Sequence, residues 1–284
     1  MQIQYIFREV LVLRKTVIEA NGKNLQYWKD IWNYRELALN FAKRDITVRY
    51  KQTRIGLGWA LISPIVNMFI MSFIFGNLAG LSSDGTSPYY IMVYAGNIPW
   101  GLFTRSLQSS SNVFISNADI MKKVYFPRIL SPIGAVCAYI IDSMISMAIL
   151  ILMMLVSGYM PSVRMLLFPV FMILCVALGM FLGLFLAAFN VRWRDLAQII
   201  PFAISAGMYL TPVAYSLSEI PEKYRLLYSL NPACGLVNAF KWCIIKDMSF
   251  DVTSFVIALV WLALLIPLGI RFFRKTERTF VDIV

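Results

Sequence analysis

Long apolar runs separated by short polar segments make up most of this 284-residue chain. Six such runs stand out, at about 57–80, 89–110, 131–157, 165–190, 197–217 and 252–272. At a rise of roughly 1.5 Å per residue, each is long enough to cross about 30 Å of hydrocarbon. The pattern therefore predicts an all-α integral membrane protein with six transmembrane helices. No short basic segment followed by a small-residue cleavage site opens the sequence, so no removable signal peptide is expected.

Two segments outside the six runs carry their own pattern. Between the fifth and sixth runs, "CGLVNAFKWCII" (234–245) is apolar but too short to span. It follows "SEIPEKYRLLYSLNP", in which Asn231 is a good N-cap and Pro232 a good first helical residue. Two short helices hinged at Asn231–Pro232, with Pro221 before the first, read as a re-entrant outer hairpin. Irregular backbone at that depth is tolerated only inside protein or beside a wet cavity, which makes the hairpin a candidate pathway mouth. Near the N-terminus, Leu37, Phe41 and Ile46 form a loose apolar stripe beside Arg35, Glu36, Lys43 and Arg44. That pattern predicts an amphipathic helix lying in the membrane interface. Residues 1–30 are mixed and predict nothing definite.

Charge sets the orientation. Lys and Arg number eleven before Leu57, four from Arg105 to Arg128, two in "NVRWRD" and four after Ile270, or 21 of the 26. The alternate loops hold the other five. Basic residues gather on the cytoplasmic side, so both termini are expected in the cytoplasm of a multi-pass protein of the cytoplasmic (inner) membrane. The domains that follow are a cytoplasmic region 1–56, a six-span unit 57–272 and a cytoplasmic tail 273–284. The net charge of +11 is spread over every inner loop, unlike a groove-binding patch, so anionic lipid is the expected partner and nucleic acid is not.

Candidate chemistry is sparse. With no histidine, Ser/His and Cys/His couples are impossible. The four cysteines lack metal-ligand spacing, and Cys234 and Cys243 could pair only on an oxidising side. No metal site and no cofactor of the chain's own is expected. No G-x-x-x-x-G-K-[ST] phosphate loop occurs, so ATP hydrolysis by that route is excluded. Asp142, inside the third run, is a functional candidate because a carboxylate in hydrocarbon is costly, and Arg105 is its nearest plausible counter-ion. A bland reading has it facing a hydrated cavity or bonding neighbouring helices. Trp59, Phe69 and Phe73 share a sector of the first run, and Phe202 and Tyr209 repeat seven apart in the fifth. They serve either as lipid-facing bulk or as a stacking surface for sugar rings. Arg44, Arg49 and Arg54 precede the first run at the depth of lipid phosphates, where arginine forks suit phosphate; plain topology anchoring explains them equally well.

Four stretches together resemble one family: "VRYKQTRIGLGWALISP" (48–64), "MKKVYFPRILSP" (121–132), "NVRWRDLAQIIPF" (190–202) and "PVAYSLSEIPEKYRLLYSLNP" (212–232). In order and spacing they look like the membrane subunit of polysaccharide ABC exporters, the ABC-2-type permeases of O-antigen, capsule or teichoic-acid polymers. The resemblance implies a homodimer of six-span subunits working with two copies of a separate ATPase, which binds ATP and Mg. It also implies, as cargo, a polysaccharide, most simply O-antigen, on an undecaprenyl-diphosphate-type lipid. It favours a coupling role for the loop between the second and third runs. There Asn117 can cap a short helix with Asp119 in its first turn, and Pro127 limits its length. The helix would present Ile120, Met121, Val124 and Tyr125 to the ATPase, with Lys122 and Lys123 meeting acidic groups. Lys241 stands where many relatives are expected to carry arginine, and no specific contact is assigned to it. An ABC-2 permease for drugs or small lipids is the alternative. A membrane enzyme would need a cluster of carboxylates or histidines that is missing, and an ion-coupled carrier would need more intramembrane ionisable groups.

Overall fold

The computed structural model describes residues 24–51, 58–83, 87–117, 126–193 and 195–283, and these are mostly helical with no strand among them. In chain order the helices are α1 (Asn24–Asn33), α2 (Arg35–Lys51), α3 (Gly58–Met71) continued by a π-helical segment Ser72–Leu78, α4 (Tyr89–Ser111), the single turn α5 (Val113–Ser116), α6 (Leu130–Val156), α7 (Phe168–Asn190), α8 (Leu196–Tyr209), α9 (Glu222–Ser229), α10 (Pro232–Ile244) and α11 (Val252–Ile283).

Every apolar run thus became a helix, but the helices are not alike. Leu130–Val156, Val163–Asn190 (the second including a 3₁₀ turn) and Val252–Glu277 are long and apolar enough to cross a membrane. Together with the family assignment given below, they make this an integral membrane protein. The second run gives a 23-residue helix, α4, that protein covers on most sides. Its Ser106 and Thr104 hydroxyls donate to the carbonyls of Leu102 (2.7 Å) and Trp100 (3.0 Å), which satisfies them within the helix. The fifth run is shorter than its hydrophobicity suggests. α8 stops at Tyr209 because Pro212 disfavours helix in the residue before it, and 210–216 is a turn. At 14 residues, α8 extends roughly 21 Å.

Glycines set the tightest crossing. α4 and α7 share the largest helix–helix contact, and a Cβ on Gly179 or Gly183 would lie 2.3 Å from the Phe103 carbonyl oxygen or 2.6 Å from that of Leu107. Small residues four apart let two backbones approach in this way. The apolar stripe of α2 finds protein as its partner: Ala38, Phe41 and Ala42 are buried against α6. A Cβ on Gly134 of α6 would meet the Ala38 carbonyl oxygen at 2.7 Å. α1 adds an element that the mixed composition of 1–30 gave no reason to expect. Its Tyr27 and Ile31 pack on a second core cluster around Phe41, Phe114, Phe126 and Phe273, while Trp28 and Trp32 face outward.

Candidate functional site

A polar cleft of about 610 Å³ lies between α2, α4 and α6. α2 contributes Arg44, Asp45 and Val48. α4 contributes Arg105, Gln108 and Ser109, and the turn after it Asn112, Ser116 and Asn117. Ser131, Pro132, Ala135 and Tyr139 close the side made by α6. Arg44 is fixed by its neighbours: its Nε and Nη2 donate to Asp45 Oδ1 at 3.0 and 2.9 Å, and its guanidinium lies 5.1 Å from the centre of the Phe41 ring. Arg105 reaches Asp142 with Nη1 at 3.4 Å, which confirms the counter-ion expected from sequence. Its side chain is 47% exposed while that of Asp142 is 5% exposed. The carboxylate thus lies behind the guanidinium, which faces the cleft.

Of the three collar arginines, Arg44 alone can be located in the cleft. Arg49 belongs to α2, and Arg54 lies outside the described residues. Phe69, Phe73, Phe202 and Tyr209 all point away from the protein, on α3, its π-helical continuation and α8. Trp59 belongs to α3.

The two short helices expected between the fifth and sixth runs are present, and their hinge is built as the sequence indicates. Asn231 Oδ1 accepts from the Ala233 N–H at 3.1 Å, with Pro232 starting α10. Pro221 precedes α9. The Asn231 amide also donates to Thr211 Oγ1 at 2.9 Å, tying the hinge to the turn after α8. α10 itself is buried along almost its whole length.

Within α10 lies a residue whose role sequence reasoning missed. Lys241 is 0% exposed, and its Nζ donates to the carbonyl oxygens of Pro212 at 3.2 Å and Tyr215 at 2.9 Å. The position given no contact from sequence therefore pins the irregular turn 210–216. The signal that was available is a single cation inside an apolar twelve-residue run, since a buried cation needs acceptors. Cys234 and Cys243, about two and a half turns apart on α10, are both free thiols, as are Cys137 and Cys175.

The residues expected to couple to an ATPase, Asp119, Ile120, Met121, Lys122, Val124 and Tyr125, lie outside the described residues, but the described residues on either side are anchored. Asn117 donates its amide to the Val113 carbonyl at 3.3 Å. On the far side Phe126 packs on Phe41, ring centres 5.6 Å apart. The Arg128 N–H donates to Glu277 Oε1 at 2.8 Å and its Nη1 to the Glu277 carbonyl at 2.9 Å. Tyr27 OH donates to Glu277 Oε2 at 3.0 Å, under the guanidinium of Arg274. The loop exit is thus knotted to both the first and last helices.

The profile of the ABC-2 type transporter family matches residues 38–245, nearly three-quarters of the chain and all of the cleft, hinge and loop ends just described. The chain belongs to the ABC-2 type transporter family. Among its relatives, an O-antigen export system permease protein RfbA of Klebsiella pneumoniae is 25% identical over 258 residues, covering 88% of this chain and 95% of its own. RfbA of Myxococcus xanthus is 25% identical over 215 residues, covering 75% and 82%. The polysialic acid transport protein KpsM of Escherichia coli is 20% identical over 239 residues, covering 82% and 91%. The likeness therefore covers most of this ABC-2 chain and is not confined to one helix pair.

Proposed function

We propose that this chain is the permease subunit of an ATP-driven exporter that moves lipid-linked polysaccharide across the cytoplasmic membrane. O-antigen on an undecaprenyl-diphosphate-type lipid is the cargo we favour. The observation that carries this reading is the near full-length likeness to permeases named for O-antigen export. In this reading α3, α4 and α8 join the three long helices to make six spans, both termini are cytoplasmic, and two copies of a separate ATPase supply ATP and Mg chemistry. No catalytic residue is assigned to the chain.

Surface chemistry supports a path between two copies. The outward faces of α6 and α7 are aliphatic, carrying Leu152, Leu155, Val170 and Ile173, which suits lipid tails. Those of α3 and α8 carry Phe69, Phe73, Phe202 and Tyr209, with Phe202 74% exposed. Aromatic faces suit the C–H faces of sugars, so we place the homodimer contact and the polymer path along α3 and α8. Alanine at both Phe202 and Tyr209 is expected to lower export severalfold while the dimer survives extraction. Loss of folded protein would instead assign these rings to packing. The outer gate, in turn, is α9, whose Tyr224, Leu226 and Leu227 are exposed, hinged at Asn231–Pro232 on the buried α10. A cross-link holding α9 to the turn after α8 should block polymer release; normal export through it would make the hairpin a cap.

The ATPase partnership is tested by copurification. Truncating an aromatic anchor at an interface costs about 2 kcal/mol or more, roughly a thirtyfold loss of affinity. Met121→Ala with Tyr125→Ala should release or uncouple the ATPase and leave the permease dimer in the membrane. Unchanged copurification together with unchanged stimulated ATPase activity would place docking elsewhere.

A further inference from the structure

We infer that the cleft between α2, α4 and α6 binds the diphosphate of a lipid-linked substrate, with Arg44 and Arg105 contacting it and Asp142 positioning Arg105. The inference rests on the exporter reading for the identity of the lipid, but its geometry stands independently. Two guanidinium groups reach one cleft from different helices. Arg105 makes a single hydrogen bond among the described residues, the 3.4 Å contact to Asp142. A guanidinium has five N–H donors, so most of its capacity faces the cavity unused. Arg44 gives Nε and one Nη2 bond to Asp45, which leaves its Nη1 side available. The Gln108 amide and Ser109 hydroxyl line the same cleft, and Asn112 and Asn117 sit at the end beside the ATPase-facing loop.

The chemistry selects the ligand class. Arginine forks match phosphate oxygens bidentately, and two forks from separate helices match a group with two phosphates better than one with a single charge. Among the described residues the one carboxylate lining the cleft, Asp45, is already occupied by Arg44. Asp142 works differently: almost fully buried, it fixes the side chain of Arg105 from behind without facing the cavity itself. An unpaired Arg105 would lose that fixed direction, so Asp142 acts on the ligand through Arg105. A ligand bound here would lie beside Asn117, the last described residue before 118–125. Headgroup occupancy is thereby placed next to the proposed ATPase contact.

The test uses the full-length permease with its ATPase in nanodiscs, titrated with farnesyl diphosphate, farnesyl monophosphate and inorganic diphosphate. Saturable binding of the lipid diphosphate is expected, with weaker binding of the other two. Since a hydrogen bond to a charged group is worth about 1.5–3 kcal/mol, Arg44→Gln should weaken the lipid diphosphate about tenfold or more. Arg105→Gln alone would take the guanidinium away from the buried Asp142 carboxylate, so it is paired with Asp142→Asn, which removes both charges and keeps both side chains polar. That double variant should show a similar loss, and Asp142→Asn alone should reduce the preference for diphosphate over monophosphate. Lys43→Gln, an exposed α2 lysine that does not line the cleft, should bind as wild type. Wild-type affinity in both cleft variants, or an equal loss in Lys43→Gln, overturns the site. Equal affinity for inorganic diphosphate overturns the lipid assignment. Tight binding by a protein whose loss leaves polysaccharide export intact refutes the exporter reading and spares the site.

Discussion

Replacing Gly179 with leucine is expected to abolish recovery of folded protein, and Gly179→Ala to lower its thermal stability clearly. A Cβ at this position would sit 2.3 Å from the Phe103 carbonyl oxygen and 3.0 Å from Ser106 Cβ, and at Gly183 it would meet the Leu107 carbonyl oxygen and Ser110 Cβ at 2.6 Å. The obstacle is mainly backbone, which no rotamer change can move aside. The two helices must separate, and overpacking of this kind costs roughly 1–3 kcal/mol for small groups and more for large ones. α4 and α7 form the largest contact in the molecule, so a separation there loosens α10 and α11 as well. Gly101 is the internal control. It lies in the same helix α4, and a Cβ there would meet nothing within 4 Å. Gly101→Ala should therefore be neutral or stabilising by about 0.5–1 kcal/mol through helix propensity. Thermal melts of the detergent-solubilised protein, followed by size-exclusion chromatography, check the order Gly101→Ala, Gly179→Ala, Gly179→Leu. A Gly179→Leu protein as stable as wild type would mean that the crossing is not this close.

The second large effect is expected at Lys241. Two opposed contributions decide its sign. Removing a buried ammonium relieves its desolvation, and exchange for an apolar residue is sometimes neutral. Here, however, the carbonyls of Pro212 and Tyr215 lose their donor, and each acceptor left unsatisfied in the interior costs about 1–3 kcal/mol. The orphaned carbonyls outweigh the relief, so Lys241→Met should destabilise by about 2 kcal/mol. Lys241→Ala adds a cavity and should cost more. Lys241→Arg keeps the cation and should retain more stability than Met. Because the pinned turn joins α8 to the hinge through Thr211 and Asn231, export by the surviving Met variant should fall as well. A Met variant equal to wild type in both stability and export would remove this role.

The contrast between Asp142 and Lys241 shows what sequence could and could not reveal. Asp142 and Arg105 both interrupt apolar helices whose order was evident, so pairing them required only the topology. Lys241 was equally visible, but its acceptors are main-chain carbonyls 26 and 29 residues away, and carbonyls carry no sequence signature. The hinge was legible because capping is local: Asn231 and Pro232 act on their own next turn. The end of α8 was not, because hydrophobicity continued past Tyr209 while Pro212 and a distant lysine ended the helix. α4 read as one span among six by hydropathy, and its burial came to light only with its contacts to α7, α6 and α10, which no local pattern encodes. The Tyr27–Glu277 and Arg128–Glu277 contacts close over 250 and 149 residues, beyond the reach of any periodicity. The cleft shares that difficulty. Arg44 was a candidate from its place in the collar, whereas Arg105 entered only as a counter-ion, and nothing local set the two arginines on one cavity.

The central claim is that this chain carries lipid-linked polysaccharide outward. The most direct measurement is to deplete the protein in its native cell and identify the lipid-linked glycans on each side of the cytoplasmic membrane. The account predicts that polysaccharide still attached to its diphosphate lipid collects on the cytoplasmic side while surface polymer disappears, with both restored by the wild-type chain. Unchanged surface polymer and no retained glycan, with loss of small-lipid or drug efflux instead, would contradict it.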